Sequence, residues 1–149
     1  MHVGPSHRRL KIAFIHQPWS IVVPPVNAAD SVALLTDELA RRVCKSCDVI
    51  SYSRLGKMQP EVERFQNVEY RRASVSIDRW LKLGMQNIDR LGWRDPLRPF
   101  FTSDLCYRQF ITEVMNDLAG QNCDLVHIQN FTQFAPLIRK RFPKMKIVV

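Results

Sequence analysis

Short apolar runs alternate with segments of helical period along this chain, and that alternation restricts its fold more than any other feature. The runs are Leu10-Lys-Ile-Ala-Phe-Ile-His16, Asp48-Val-Ile-Ser-Tyr-Ser53, Val68-Glu-Tyr-Arg-Arg-Ala73, Asp124-Leu-Val-His-Ile-Gln129 and Lys146-Ile-Val-Val149. Each has the length and the β-branched or aromatic content of a strand. The compact run at 10–16 suits a strand buried on both faces of a parallel sheet. Strands separated by helices predict an α/β, Rossmann-like parallel sheet with helices on both faces.

The intervening segments carry helix signals. Val32, Leu35, Leu39 and Val43 recur at three- and four-residue steps and predict one apolar helical face. Asp37–Arg41 and Glu38–Arg42 are spaced as i, i+4 pairs on the other side. Asn27 is placed as the N-cap of this helix, with Asp30 as its partner three residues on. Ile77, Leu81, Gly84, Ile88 and Leu91 predict a second helix, closed by Gly92. Ser103 is placed as the N-cap of a third, whose face is Tyr107, Phe110, Val114 and Leu118 and which ends at Gly120. A fourth spans Phe134 to Arg141, and Pro143 stops it. Residues 17–27, 54–67 and 93–101 read as loops.

The 149 residues amount to about one domain. A final apolar strand without a covering helix leads us to expect that residues 1–149 are an N-terminal domain, incomplete at its C-terminal end. Lys and Arg number 22 against 14 Asp and Glu, a net charge of +8 that favours anionic partners. The aromatic residues do not interleave with the basic ones as single-strand stacking needs, so nucleic acid is not expected. Lys11 interrupts the first apolar run, which is shorter than a signal-peptide core. The expected location is therefore cytoplasmic, with peripheral contact at the inner face of a membrane. Cys44 and Cys47 form a lone C-x-x-C without the second pair of a structural zinc site, so idle thiols and no metal are expected.

In an open parallel sheet, ligands bind beyond the carboxyl ends of the strands where strand order reverses. If the run at 10–16 lies beside that at 124–129, two loops wall this crevice. They supply His16, Gln17, Trp19, Asn27 and Asp30 from one side, and Gln129, Asn130 and Thr132 from the other. His16 is suited to position or deprotonate a hydroxyl, or to serve as a hydrogen-bonded structural histidine. Trp19 is suited to stack on a sugar face or to pack beneath its loop. Gln129, Asn130 and Thr132 are neutral groups that bind polyol hydroxyls or cap the following helix. G-x-G-x-x-G and G-x-x-x-x-G-K-[ST] are both absent, which argues against a dinucleotide or ATP cradle.

Lys11-Ile-Ala-Phe-Ile-His16 followed by Leu34-Leu-Thr-Asp-Glu-Leu-Ala-Arg-Arg42, and Asp124-Leu-Val-His-Ile-Gln-Asn130 followed by Ala135-Pro-Leu-Ile-Arg-Lys-Arg-Phe-Pro-Lys-Met-Lys-Ile-Val148, resemble the N-terminal domain of family 4 glycosyltransferases. In place of the family's frequent Gly-Gly stands Asn27-Ala28-Ala29, and Gln129 replaces the second histidine of its D-V-V-H-x-H-N strand. The resemblance implies a GT-B fold, in which this domain receives the acceptor and an absent C-terminal domain binds the donor. It implies retaining transfer from a nucleotide-sugar co-substrate to a sugar, glycan or lipid-linked acceptor, with no cofactor bound by this part and no obligatory metal. No catalytic residue is assigned. The alternatives are a small non-enzymatic α/β binding or adaptor module, and a basic protein that binds anionic lipid or nucleic acid.

Overall fold

Two-sided apolar strands need cover on both faces, and the chain supplies it with helices of unequal number. The computed structural model describes residues 8–26, 30–92, 103 and 105–149. Strands β1 (Lys11–Ile15), β2 (Asp48–Arg54), β3 (Val62–Phe65), β4 (Val68–Ala73), β5 (Leu125–Ile128) and β6 (Lys146–Val148) form one sheet. Its helices are α1 (Ser31–Val43), α2 (Ser76–Arg90), α3 (Arg108–Leu118) and α4 (Phe134–Arg141). The sheet order is β3-β4-β2-β1-β5-β6. All neighbours are parallel except β3 and β4. This is the Rossmann-like α/β arrangement, and its order reverses between β1 and β5.

Alternation along each strand sends side chains to opposite faces. Phe14, Val49, Val68 and Tyr70 join Ala33 and Ala40 of α1 and its C-cap Cys44 in one core. Ala13, Ile15, Ile50, Tyr52, Val126 and Ile128 join Phe110, Ile111, Val114 and Leu118 of α3 and Phe134 and Ile138 of α4 in the other. Each fully buried Phe or Ile contributes about 1.5–3 kcal/mol. Two tyrosines fasten the layers. Tyr70 donates its hydroxyl to Asp37 of α1, and Tyr52 donates to Asp117 of α3 at 2.6 Å.

Several expectations are corrected. The segment 54–67 is not all loop, because β3 pairs antiparallel with β4 as an edge strand. Its four residues, Val62-Glu-Arg-Phe65, alternate but hold too little apolar content to stand out from their polar surroundings. In α1 the buried residues are Ala33, Thr36, Asp37 and Ala40, whereas Leu35 is 69% exposed. Small side chains let α1 sit close on the sheet, and Tyr70 draws Asp37 inward, so the leucine stripe faces out. The two i, i+4 ion pairs do form, Arg41 to Asp37 and Arg42 to Glu38, both at 2.9 Å.

The caps also differ. Asp30, not Asn27, is the N-cap of α1: its Oδ1 accepts from Ala33 N at 2.9 Å. Asn27 itself lies outside the described residues. Ser103 does not cap α3, which starts after Tyr107. The first-turn amides of Gln109 and Phe110 instead donate to Asp78 of α2, both at 2.8 Å. A cap supplied from another helix leaves no local sequence signal.

Candidate functional site

The reversal of strand order leaves the carboxyl ends of β1 and β5 side by side, with two loops rising from them. Ile15 pairs with Tyr52 on one side and Ile128 on the other. His16 N donates to Tyr52 O at 2.9 Å, and Gln129 N donates to Ile15 O at 2.8 Å. One step further along that register, Ser53, His16 and Gln129 form a row across three adjacent strands. In-register residues project to the same face, here the α1 face.

Each member of this row has a buried polar atom without a hydrogen-bond partner in the protein. The atoms are Ser53 Oγ, His16 Nδ1 and Gln129 Nε2. Leaving such a group unpaired costs about 1–3 kcal/mol, so the three together mark a polar patch at the strand-order reversal. His16 is wholly buried and its other ring nitrogen, Nε2, lies 2.9 Å from Ser51 Oγ. Burial lowers its pKa to about 4, against the opposing pull of Asp30, so the ring is neutral at pH 7. A base that weak abstracts a hydroxyl proton poorly. Positioning through a neutral ring is the role the site permits.

Asp30 sits at the mouth. Its Oδ2 accepts from Ser20 Oγ at 2.6 Å while Oδ1 caps α1. Burial pushes this carboxyl up, but the bonds from Ser20 and Ala33 and the nearby His16 hold it below its ordinary value. One first-turn amide of α1, at a terminus where a phosphate would find free amides and a favourable dipole, is therefore bonded to the protein's own carboxylate.

Trp19 packs beneath its loop, one of its two expected readings, and stays partly exposed. Its ring lies 5.5 Å from Phe131, edge-on, and 5.9 Å from Tyr107, while 39% of the residue stays exposed. Phe131 in turn lies tilted against the buried Phe134, ring centroids 4.5 Å apart. The aromatic cluster thus anchors the indole, which stays partly exposed. Asn130 and Thr132 are exposed beside it, and Asn130 holds a left-handed backbone with φ of 52°. Asparagine tolerates that region better than most residues. Gln133, the residue before α4, makes no side-chain cap. Gln17 is buried, and its carbonyl accepts from Ser20 N at 3.0 Å, closing the turn beneath Trp19.

The described candidates thus gather at one rim: His16, Gln17, Trp19 and Asp30 from the first loop, Gln129, Asn130 and Thr132 from the second. Ser53, Ser51, Ser20 and Tyr107 were not singled out from sequence. Ser51 and Ser53 are short polar residues inside an apolar run, a faint signal that only the register makes meaningful, and Ser20 lies in a loop. His127, in β5, packs its ring 5.4 Å from Phe14, and burial lowers its pKa. All four cysteines are free thiols, and Cys44 bonds to backbone carbonyls of Arg41 and Gln66. Among the described residues, no three His, Cys, Asp or Glu side chains gather as a metal site would. No protein-family model and no curated protein matches the chain.

Proposed function

We propose that this domain is the acceptor side of a retaining glycosyltransferase, holding a hydroxyl-bearing sugar, glycan or lipid-linked acceptor at the β1–β5 crevice. The observation that carries this is the uncharged row Ser53–His16–Gln129 at the β1–β5 reversal, with the partly exposed Trp19 on the loop that follows His16. Neutral donors and acceptors match hydroxyl groups. A flat aromatic face matches the C–H-rich face of a sugar ring. Asp30 disfavours an anion at the N-terminus of α1. The resemblance of both loops to family 4 glycosyltransferases supports the same reading and supplies the donor side: a nucleotide-sugar bound by a second domain.

The test is on the native protein, captured from its source cell with an antibody to this segment. A band at roughly two to three times 17.4 kDa, with transfer of label from a nucleotide-sugar to a hydroxyl acceptor, is the expected result. Trp19→Ala introduced at the native locus should lower that transfer through a raised acceptor KM. A product of 17.4 kDa without transfer would overturn the proposal.

A further inference from the structure

The polar row at the crevice does not end at Ser53. Arg72 of β4 pairs in register with Ser53, so it stands next in line on the same face. Its side chain is wholly buried, and Glu63 of β3 meets its charge at 2.6 Å. The guanidinium also reaches the first crevice loop. Nη2 donates to Val22 O at 3.3 Å, and Nη1 donates to Pro60 O at 2.8 Å. Val22 O takes a second donor, Gln59 Nε2, at 3.3 Å, while Gln59 Oε1 accepts from Gly56 N at 2.8 Å. A Cβ at Gly56 would collide with Gln59 Oε1 and stand 2.9 Å from Ile21 Cγ2, so the two side-chain donors and the loop are closely packed. Two residues before Val22, Ser20 O accepts from Arg54 N at 3.0 Å. The loop is thereby bonded to the carboxyl ends of both β2 and β4.

We propose that Arg72 is a positioning residue for the crevice: by holding Val22 O it fixes the loop that presents Trp19 to a sugar. This inference rests on the acceptor reading above. Beyond Trp19, burial holds the loop at Val22 and Val26, while Ile21 and Val23 are exposed. Backbone ties must supply the remaining order, and Val22 O carries two of them. A loop ordered before the ligand arrives spares binding that ordering cost, and the difference appears as affinity. Arginine suits the task because its planar fork offers several donors in fixed directions. Here they span the loop at Val22, the turn at Pro60 and the carboxylate of Glu63.

The experiment is a titration of the isotope-labelled chain with neutral methyl glycosides, followed at the Trp19 indole N–H in parent and variants. Gln59→Met, at a half-buried position, removes one donor to Val22 O and should weaken binding about two- to tenfold, the worth of one hydrogen bond. Arg72→Met combined with Glu63→Gln removes the other donor without stranding a carboxylate, and should weaken binding about tenfold. In both, the ligand-free Trp19 indole resonance should already be displaced. Glu63→Gln alone keeps the bond from Arg72 to Val22 O, so it should lower the urea midpoint yet bind as the parent does. Affinity that follows the urea midpoint across all three variants would overturn the proposal, because Arg72 would then act on stability alone. A parent that binds and variants that bind equally would overturn it too, and leave the acceptor reading standing. Silence of the parent with every neutral glycoside would overturn the acceptor reading, and this inference with it.

Discussion

The buried, neutral His16 makes stability depend on pH in a range where few other groups titrate. Its pKa is about 4 in the fold against an ordinary 6.5, because burial disfavours the imidazolium. The unfolded chain therefore binds more protons between those values, and stability present above pH 6.5 is lost as pH falls towards 4. The full difference is about 3 kcal/mol at 1.36 kcal/mol per unit, and roughly 2 kcal/mol is already lost between pH 7 and pH 5. That is a large share of the 5–15 kcal/mol typical of a domain. Urea unfolding at a series of pH values measures it, and His16→Gln is the reference that cannot titrate. The variant should be less stable at pH 7 yet show a slope flatter by about 2 kcal/mol over the same interval. A variant slope equal to the parent's, or a His16 resonance that titrates near 6.5, would refute the reasoning.

Asp30→Ala removes the α1 cap and should lower stability by about 1 kcal/mol, read from urea midpoints. Asp30→Asn should retain most of it. Leu35→Lys should change stability by no more than about 0.5 kcal/mol, whereas Ala33→Leu, beneath α1, should cost about 1–3 kcal/mol by overpacking. The reverse order would restore the leucine face as the buried one. Phe110→Ala, at the centre of the α3 core, should cost about 3–5 kcal/mol, measured by thermal or urea unfolding.

The strands and the helices they alternate with were legible because two-sided apolar runs and helical spacing are local signals. That the run at 10–16 lies beside that at 124–129 was a supposition from topology, and β1 and β5 do pair. What was not legible depends on contacts between distant residues. The leucines of α1 obeyed helical spacing, but the face was decided by Tyr70 reaching Asp37 and by the close approach that Ala33 and Ala40 allow. The cap on α3 is a carboxylate 30 residues upstream of Arg108 in helix α2, so Ser103 was the nearest local substitute. At the crevice, His16, Trp19 and Gln129 were legible as strand-end residues. Ser53 entered only once register set it in line with them.

The central claim is that the β1–β5 crevice holds a neutral, hydroxyl-bearing ligand. Its most direct measurement is a titration of the isotope-labelled chain with neutral methyl glycosides and, separately, with a phosphorylated sugar, followed by amide and indole NMR shifts. The account predicts shifts at Trp19, Asn130 and Thr132 with the neutral glycosides, abolished at the neighbouring amides by Trp19→Ala, and little response to the phosphorylated sugar. Silence at these three residues with every neutral glycoside, or a response to the phosphorylated sugar alone, would contradict it.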